Sequence, residues 1–437
     1  MVPEDKIRGT DKIDNSRYGQ AADSDDYFLE QVISFPEGGS RAWMTLTGSF
    51  IIQFCSFGYM NAFGVYNDFY VRVYLSKNSA SQISWIGSIQ LFLVLFMGII
   101  SGRAFDAGYF YHINTCGSLL FGFSLFMLSL SHPGQYYQVV LAQGLANSIA
   151  IGILYVPSIA IVSHYFKRRR AFAMGVAAAG SAVGGAIHPI MLNQLFHGRV
   201  GFHNGVRASA GLNLGLLLIA ILLMKTRLPP RGREDSLLNS FSRFMREPAY
   251  LLATSGTIIV IIGYYFPIFF LQLYAIKRGV NSALAFYSLT ILNGTSIFGR
   301  IIPNLIVHKY GVMNAILVCS VSCTVMIFCI LAVRNAVGII FFGAVYGFFT
   351  GAYASLLGPM LAGLAKKDSE IGARMGICYS LAAFGGLIGN PIAGALLTSS
   401  FIWWRPIIFA GVAVALGGIC FFAARVFLVK EKGTIFV

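Results

Sequence analysis

The feature that most constrains this chain is a succession of twelve apolar stretches, each long enough to cross a bilayer, joined by short polar links. A hydrocarbon core needs about 20 mostly apolar residues per helical crossing, and a single segment there satisfies its backbone only as a helix. The runs predict helices over 42–66, 81–102, 112–131, 136–163, 171–195, 205–226, 249–274, 283–307, 313–333, 337–365, 372–398 and 404–428. They use up most of the 437 residues, so no soluble catalytic domain fits beside them. Composition agrees: 11% of residues are charged, against about a quarter in a soluble domain. The expected fold class is an all-α membrane protein of twelve transmembrane helices.

Two further patterns organise the spans. The one long connection, 227–247, is basic and falls between the sixth and seventh spans. Asp106 and His308, Pro157 and Pro359, and Pro189 and Pro391 are each 202 residues apart. One offset met three times indicates two pseudo-symmetric six-helix halves. The expected organisation is a disordered cytoplasmic tail over 1–36, a first half over 37–227, a cytoplasmic linker over 228–247, a second half over 248–428 and a cytoplasmic tail over 429–437. The polar, acidic first 36 residues lack the apolar core of a cleaved signal peptide. The tails and even-numbered links carry 23 of the 32 Lys and Arg residues and the odd-numbered links eight. Cytoplasmic links are the Lys- and Arg-rich ones, so both termini are predicted to be cytoplasmic. The net charge of +15 thus reads as membrane topology and not as nucleic-acid binding.

Span five starts at a basic run and continues as a ladder of small residues, HYFKRRRAFAMGVAAAGSAVGG over 164–185. Lys167, Arg168 and Arg169 would anchor it at the cytoplasmic surface. Gly175, Gly180 and Gly184 would let a neighbouring backbone approach closely, the last two at G-x-x-x-G spacing. Ahead of span one stands PEGGSRAW over 36–43, and span eight carries GRIIPN over 299–304. Together these resemble the signature of the monocarboxylate porter family, in its fungal type, within the major facilitator superfamily. The resemblance covers all twelve spans and implies a carrier whose substrate site lies near the bilayer midplane, between halves that rock about it. It also implies gating contacts at two copies of a loop motif. The first copy, GRAFDAG, keeps Asp106 but lacks the basic residue after it, and His308 replaces the acid in the second, which predicts weak contacts there. Animal lactate carriers of the family have a Lys where this chain has Asn61 and an Asp where it has Ser296. Only the span-eight Arg, Arg300, remains, so the resemblance does not fix the substrate.

Arg300 is the one charge placed clearly within a predicted span. A cation there is costly unless it pairs, faces water or snorkels to the interface, and an anionic or carbonyl-rich substrate would account for it. None of the 17 carboxylates lies inside a predicted span, which leaves no intramembrane acid for proton coupling. His188 precedes Pro189, which removes a backbone hydrogen bond; it could bind substrate, titrate, or simply pack. Tyr59, Asn61, Tyr155, Tyr264, Tyr265, Asn293 and Tyr353 offer hydrogen bonds beside planar faces, suited to a solute with a ring or a carboxylate. The seven cysteines show no metal-ligand spacing and read as reduced packing residues, and no P-loop is present, so neither metal nor cofactor is expected. An enzyme would need convergent acids or a nucleophile motif. The expected function is secondary transport of a small organic solute, monocarboxylate-like or an aromatic metabolite. Efflux of a secondary metabolite, uptake of a riboflavin-type nutrient and a transporter-like sensor are the alternatives. The expected partners are that solute and the bilayer, usually the plasma membrane in this family, otherwise a vacuolar or other organelle membrane.

Overall fold

Without water to bond backbone groups in a bilayer core, the chain folds as helices almost throughout. The computed structural model describes residues 35–78, 80–228, 237–367, 370–397 and 401–437. The predicted tail as far as residue 34, and RLPPRGR from residue 229 on, lie outside the described residues. Span 1 runs in four consecutive stretches, Ser40–Cys55, Phe57–Met60, Phe63–Phe69 and a π-helical turn Tyr70–Tyr74. Span 2 is Ala80–Phe96 with Gly98–Asp106, span 3 Phe110–Ser129, span 4 Tyr136–His164, span 5 Arg170–His197 and span 6 Gly201–Leu223. A linker helix, Leu237–Met245, precedes span 7, which is Pro248–Tyr264 with Phe266–Lys277. Spans 8 to 12 are Ser282–Tyr310, Val312–Ala332, Ala336–Gly363, Ile371–Leu397 and Trp404–Lys432. Among the described residues ten helices are long and apolar enough to cross a membrane. Span 1, broken into pieces, and span 8, which carries Asn293, Ser296, Arg300 and Asn304, complete the twelve.

The breaks follow from local chemistry. In span 1 the Ser56 hydroxyl turns back onto the Ile52 carbonyl at 2.6 Å, and His188 donates to the Phe54 carbonyl at 3.2 Å. Pro267 cannot donate to the Gly263 carbonyl, and span 7 is interrupted at Tyr265, whose N–H takes that carbonyl instead. Pro189 likewise leaves the Gly185 carbonyl without its helical donor. Here the helix stays whole, because Asn293 of span 8 donates to that carbonyl at 3.1 Å. Span 1 reaches eight residues farther than hydropathy predicts, past Asp68 to Tyr74; the Asp68 carboxylate pairs with Arg72 at 2.7 Å.

The small-residue ladder of span 5 packs on two sides. A Cβ at Gly180 would meet the Phe50 carbonyl at 2.1 Å and one at Gly184 the Phe54 carbonyl at 2.4 Å, so this side is moulded to span 1. A Cβ at Gly175 would meet the Arg300 carbonyl at 2.5 Å, so the other side is moulded to span 8 and joins the two halves. Spans 2 and 11 make the second seam. Gly102 lies against the Gly372 carbonyl and Gly376 against the Gly98 carbonyl, each too close for a side chain. Where weak contacts are expected around Asp106, its carboxylate instead accepts the Ala373 N–H at 2.7 Å, at the amino end of span 11. A helix N-terminus offers free donors and a partial positive charge, so no basic side chain is needed. His308 is exposed in the last turn of span 8.

Each half also has a clasp at the end of the bundle where span 1 begins and span 12 finishes, hereafter the terminal end. In the first half Glu37, at φ 52°, lays its carboxylate over the backbone amides of Lys167, Arg168 and Arg169, at 2.8 Å and 3.1 Å for the first and last. The basic side chains themselves are exposed. Gly39 at φ 85° carries the chain from this nest into span 1, and Trp43 meets Phe166 edge-on at 5.8 Å. PEGGSRAW and the basic run are thus two sides of one contact. In the second half Glu247, just before span 7, pairs bidentately with Arg374 at 2.8 Å and 2.9 Å. Glu370 bridges Arg374 to Arg243 of the linker helix, and the Phe244 ring lies 4.3 Å under the guanidinium. Arg374, the third residue of the run predicted over 372–398, is fully buried inside the span 11 helix, so Arg300 is not the one charge within a span.

A side chain at Gly180 must displace backbone, whereas one at Gly215 meets open space. Gly180→Leu should cost about 1–3 kcal/mol or more and lower the yield of monodisperse protein in size-exclusion chromatography, with Gly215→Leu unchanged. The second clasp gives a pH dependence. Partial burial raises the Glu247 pKa, but the hydrogen bonds and charge of Arg374, with Lys366, outweigh this and hold it below the ordinary 4.5. A depressed carboxyl stabilises fully above that ordinary value and loses its contribution as pH falls through the folded-state one. Melting curves in detergent should show Glu247→Gln less stable than the parent at pH 7, with the gap narrowing below pH 4.5.

Candidate substrate-binding site

Midway along the bundle, between the two halves, lies a cavity with about 740 Å³ of empty space including its mouth. Spans 1, 2 and 4 of the first half and spans 7, 8, 10 and 11 of the second line it. One wall is Phe57, Tyr155 and Tyr379, with ring centroids 5.1 Å and 5.6 Å apart in succession. The facing wall is Tyr265, Tyr264 and Tyr353, at 4.9 Å and 5.5 Å. Toward the terminal end, Ile159, Met174 and Met375 close around Gly358, each within 3.8 Å of where its Cβ would stand. Four helices drawn from both halves meet there and seal the cavity floor.

Arg300 supplies the cavity's one charge. It is 8% exposed, and among the described residues no carboxylate pairs with it. Neutral acceptors hold it instead. Its Nε donates to Ser296 at 3.2 Å, and its Nη1 donates to the Ala178 carbonyl at 2.7 Å and to the Ser181 hydroxyl, both on span 5. Nη2, with two further donors, has no protein partner among the described residues. Tyr155, Tyr264 and Tyr265 lie within electrostatic reach of the guanidinium. Asn293 lines the cavity two turns from Arg300 on the same helix face, and Gly185 stands 3.0 Å from Asn61 and 3.2 Å from Asn293, measured from where its Cβ would be.

Seven residues singled out from the sequence therefore meet at one place: Asn61, Tyr155, Tyr264, Tyr265, Asn293, Arg300 and Tyr353. Tyr59 and His188 lie elsewhere, inside the first half. The Tyr59 hydroxyl is 2.5 Å from that of Tyr66 and accepts from Ser209 at 3.2 Å. His188, unexposed, packs between Phe54 and Tyr59 and braces the break in span 1. They sit on the far sides of their helices, a matter of rotation that residue type does not reveal. Sequence reasoning passed over Ser296, Thr350 and Tyr379, which also line the cavity. Thr350 and Tyr379 carried a usable signal, being polar residues inside apolar runs. Gly175, Gly180 and Gly184 serve the packing of span 5, away from the cavity. No cluster of three or more His, Cys, Asp or Glu residues that could hold a metal occurs among the described residues, and the cysteines are all free.

Two six-helix halves enclosing a midplane cavity define a secondary transporter that works by alternating access. The Major Facilitator Superfamily model matches residues 45–346, and the chain belongs to that superfamily. Among curated proteins it is 35% identical over 399 residues to the aspyridones efflux protein apdF of Emericella nidulans, covering 91% of this chain and 80% of that one. It is 35% identical to the agnestins efflux protein AgnL12 of Paecilomyces divaricatus, with 88% and 87% covered. It is 38% identical to the MFS-type transporter dbaD of Emericella nidulans, with 87% and 85% covered. The fold is shared with the E. coli fucose:proton symporter FucP, at TM-score 0.67 and 14% identity over 86% of this chain and 98% of that one. It is shared too with the human organic anion transporter MFSD10, at TM-score 0.66 and 15% identity over 88% and 99%. Fold and relatives are those of transporters and not of enzymes.

The wall tyrosines differ in what holds them. Tyr264 donates to the Thr350 carbonyl at 3.0 Å, while the Tyr265 hydroxyl makes no protein hydrogen bond among the described residues. Tyr264→Phe should destabilise the protein by about 1 kcal/mol. Tyr265→Phe should leave the melting temperature unchanged and lower only the apparent affinity for transported solute.

Proposed function

We propose that this chain exports an acidic, ring-bearing organic solute from the cytoplasm. The observation that carries the reading is Arg300: a guanidinium with no protein acid beside it, one edge free, in a cavity walled by six aromatic rings. Such a cation is costly in a membrane and gains most from an anion brought in with the solute. The rings provide planar, partly polar faces for an aromatic or conjugated body. Export is favoured over uptake by the relatives whose names describe efflux.

The excess of Lys and Arg in the tails and even-numbered links supports a cytoplasmic terminal end, hence both termini in the cytoplasm, with the plasma membrane the natural place for export. In that orientation the structure is closed toward the cytoplasm. The same reading takes 37–227 and 248–428 as the two rocking bodies and 228–247 as their cytoplasmic tether. The likeness of PEGGSRAW and the span 5 signature to monocarboxylate porters agrees with an anionic solute. None of the cavity residues is acidic, so the cycle includes no carboxyl relay at the binding site.

Efflux from preloaded yeast expressing the protein tests this. Aromatic carboxylic and phenolic acids should leave saturably and their methyl esters should not. With membrane potential clamped, a protonophore should have no effect. Arg300→Ala should cut acid efflux tenfold or more, the equivalent of about 1.4 kcal/mol, at unchanged surface expression. Esters moving as fast as acids, or full activity in Arg300→Ala, would overturn the reading.

A further inference from the structure

Arg300 faces the cavity and also ties the halves together. Its Nη1 crosses the seam to span 5, where the Ala178 carbonyl and the Ser181 hydroxyl accept from it. Ser181 in turn donates to the Ala178 carbonyl at 2.9 Å, which leaves the lone pairs of its oxygen for the guanidinium. Both acceptors and the cation are buried. Below them on the same seam, Asn304 is held against Gly175, and Met174 belongs to the seal under the cavity. Parting the halves at the terminal end therefore has to pull Nη1 off span 5.

We infer that Ser181, with the Ala178 carbonyl, is a gating partner of Arg300 that takes the guanidinium away from the solute each time the terminal end closes; this rests on the reading of Arg300 as the anion-binding group. A guanidinium grips a carboxylate best through two parallel N–H bonds. The fork of Nη1 and Nη2 is incomplete while Nη1 belongs to span 5, and complete once the seam parts. An acid consequently binds more tightly to the form open at the terminal end, and a ligand shifts a conformational equilibrium only through such a difference in affinity. When the seam closes, Ser181 and Ala178 reclaim Nη1 and the solute keeps a single edge of the cation. Loading is strong at the terminal end and release easy at the other, which is the asymmetry an exporter needs. Asn293 repeats the arrangement one level away, lining the cavity while donating across the seam to the Gly185 carbonyl that Pro189 leaves free.

The clamp can be tested without any solute. Met174 is unexposed, so Met174→Cys should react with a hydrophilic maleimide only when the terminal end opens. The full chain in nanodiscs, labelled for graded times and read by mass spectrometry at residue 174, gives the opening population. Adding Ser181→Ala removes one acceptor from a buried cation and should raise the labelling rate on the order of tenfold. Arg300→Gln should raise it as much, and Ser181→Thr, which keeps the hydroxyl, should behave as the parent. An unchanged rate in Ser181→Ala, in protein that elutes as a single peak, would overturn the gating role. Because no solute enters the assay, that failure is distinguishable from failure of the acid-export reading, which the efflux of Arg300→Ala decides.

Discussion

The structure is organised around a buried cation that must be satisfied without an acid. Among the described residues no carboxylate meets Arg300, so its charge is spread over a backbone carbonyl and two hydroxyls, one from its own helix and the rest from the opposite half. Low dielectric makes each of these bonds strong and makes losing one expensive. Binding and closure thereby draw on the same guanidinium, and cavity and seam cannot be treated as separate parts. The small residues of span 5 are what make this possible. A Cβ at 175 would meet the Arg300 carbonyl at 2.5 Å and hold span 8 away from span 5.

Backbone accounting in an apolar medium explains much of the remaining detail. Proline leaves a carbonyl without a donor, and the chain either breaks, as at Tyr265 ahead of Pro267, or borrows a side chain from elsewhere, as Gly185 does from Asn293. The break in span 1 is braced by His188, a residue whose polarity serves structure. Polar side chains inside these helices thus repair the backbone, as His188 does, pair with one another, as Tyr59 does with Tyr66, or face the cavity, and Asn293 both faces the cavity and repairs the backbone.

That division marks how far the sequence could be read. Apolar runs and a 202-residue offset are one-dimensional signals, and they carry the twelve spans and the two halves. Polar residues within runs are also visible, which is why Asn61, Tyr155, Tyr264, Tyr265, Asn293, Arg300 and Tyr353 could be singled out. Rotation about a helix axis is not visible in a chain this uniformly apolar, since both faces of a span look alike; Tyr59 and His188 could not be told from true cavity residues for that reason. Pairings across space escape as well. Nothing in the order of residues says that Glu37 reaches the amides of 167–169, or that Arg374, at the edge of an apolar run, is buried between Glu247 and Glu370.

The two clasps solve one problem with different materials, and that difference sets how freely each can drift. Glu37 grips amides that every non-proline residue possesses, so positions 167–169 can exchange side chains through evolutionary time while the acid alone is held. Arg374 is gripped by its own side chain, at both ends and with a ring beneath it, so Glu247, Glu370 and Phe244 can change only in concert with it. The first half should therefore diversify at its basic run, and the second half should inherit its charged cluster as a unit.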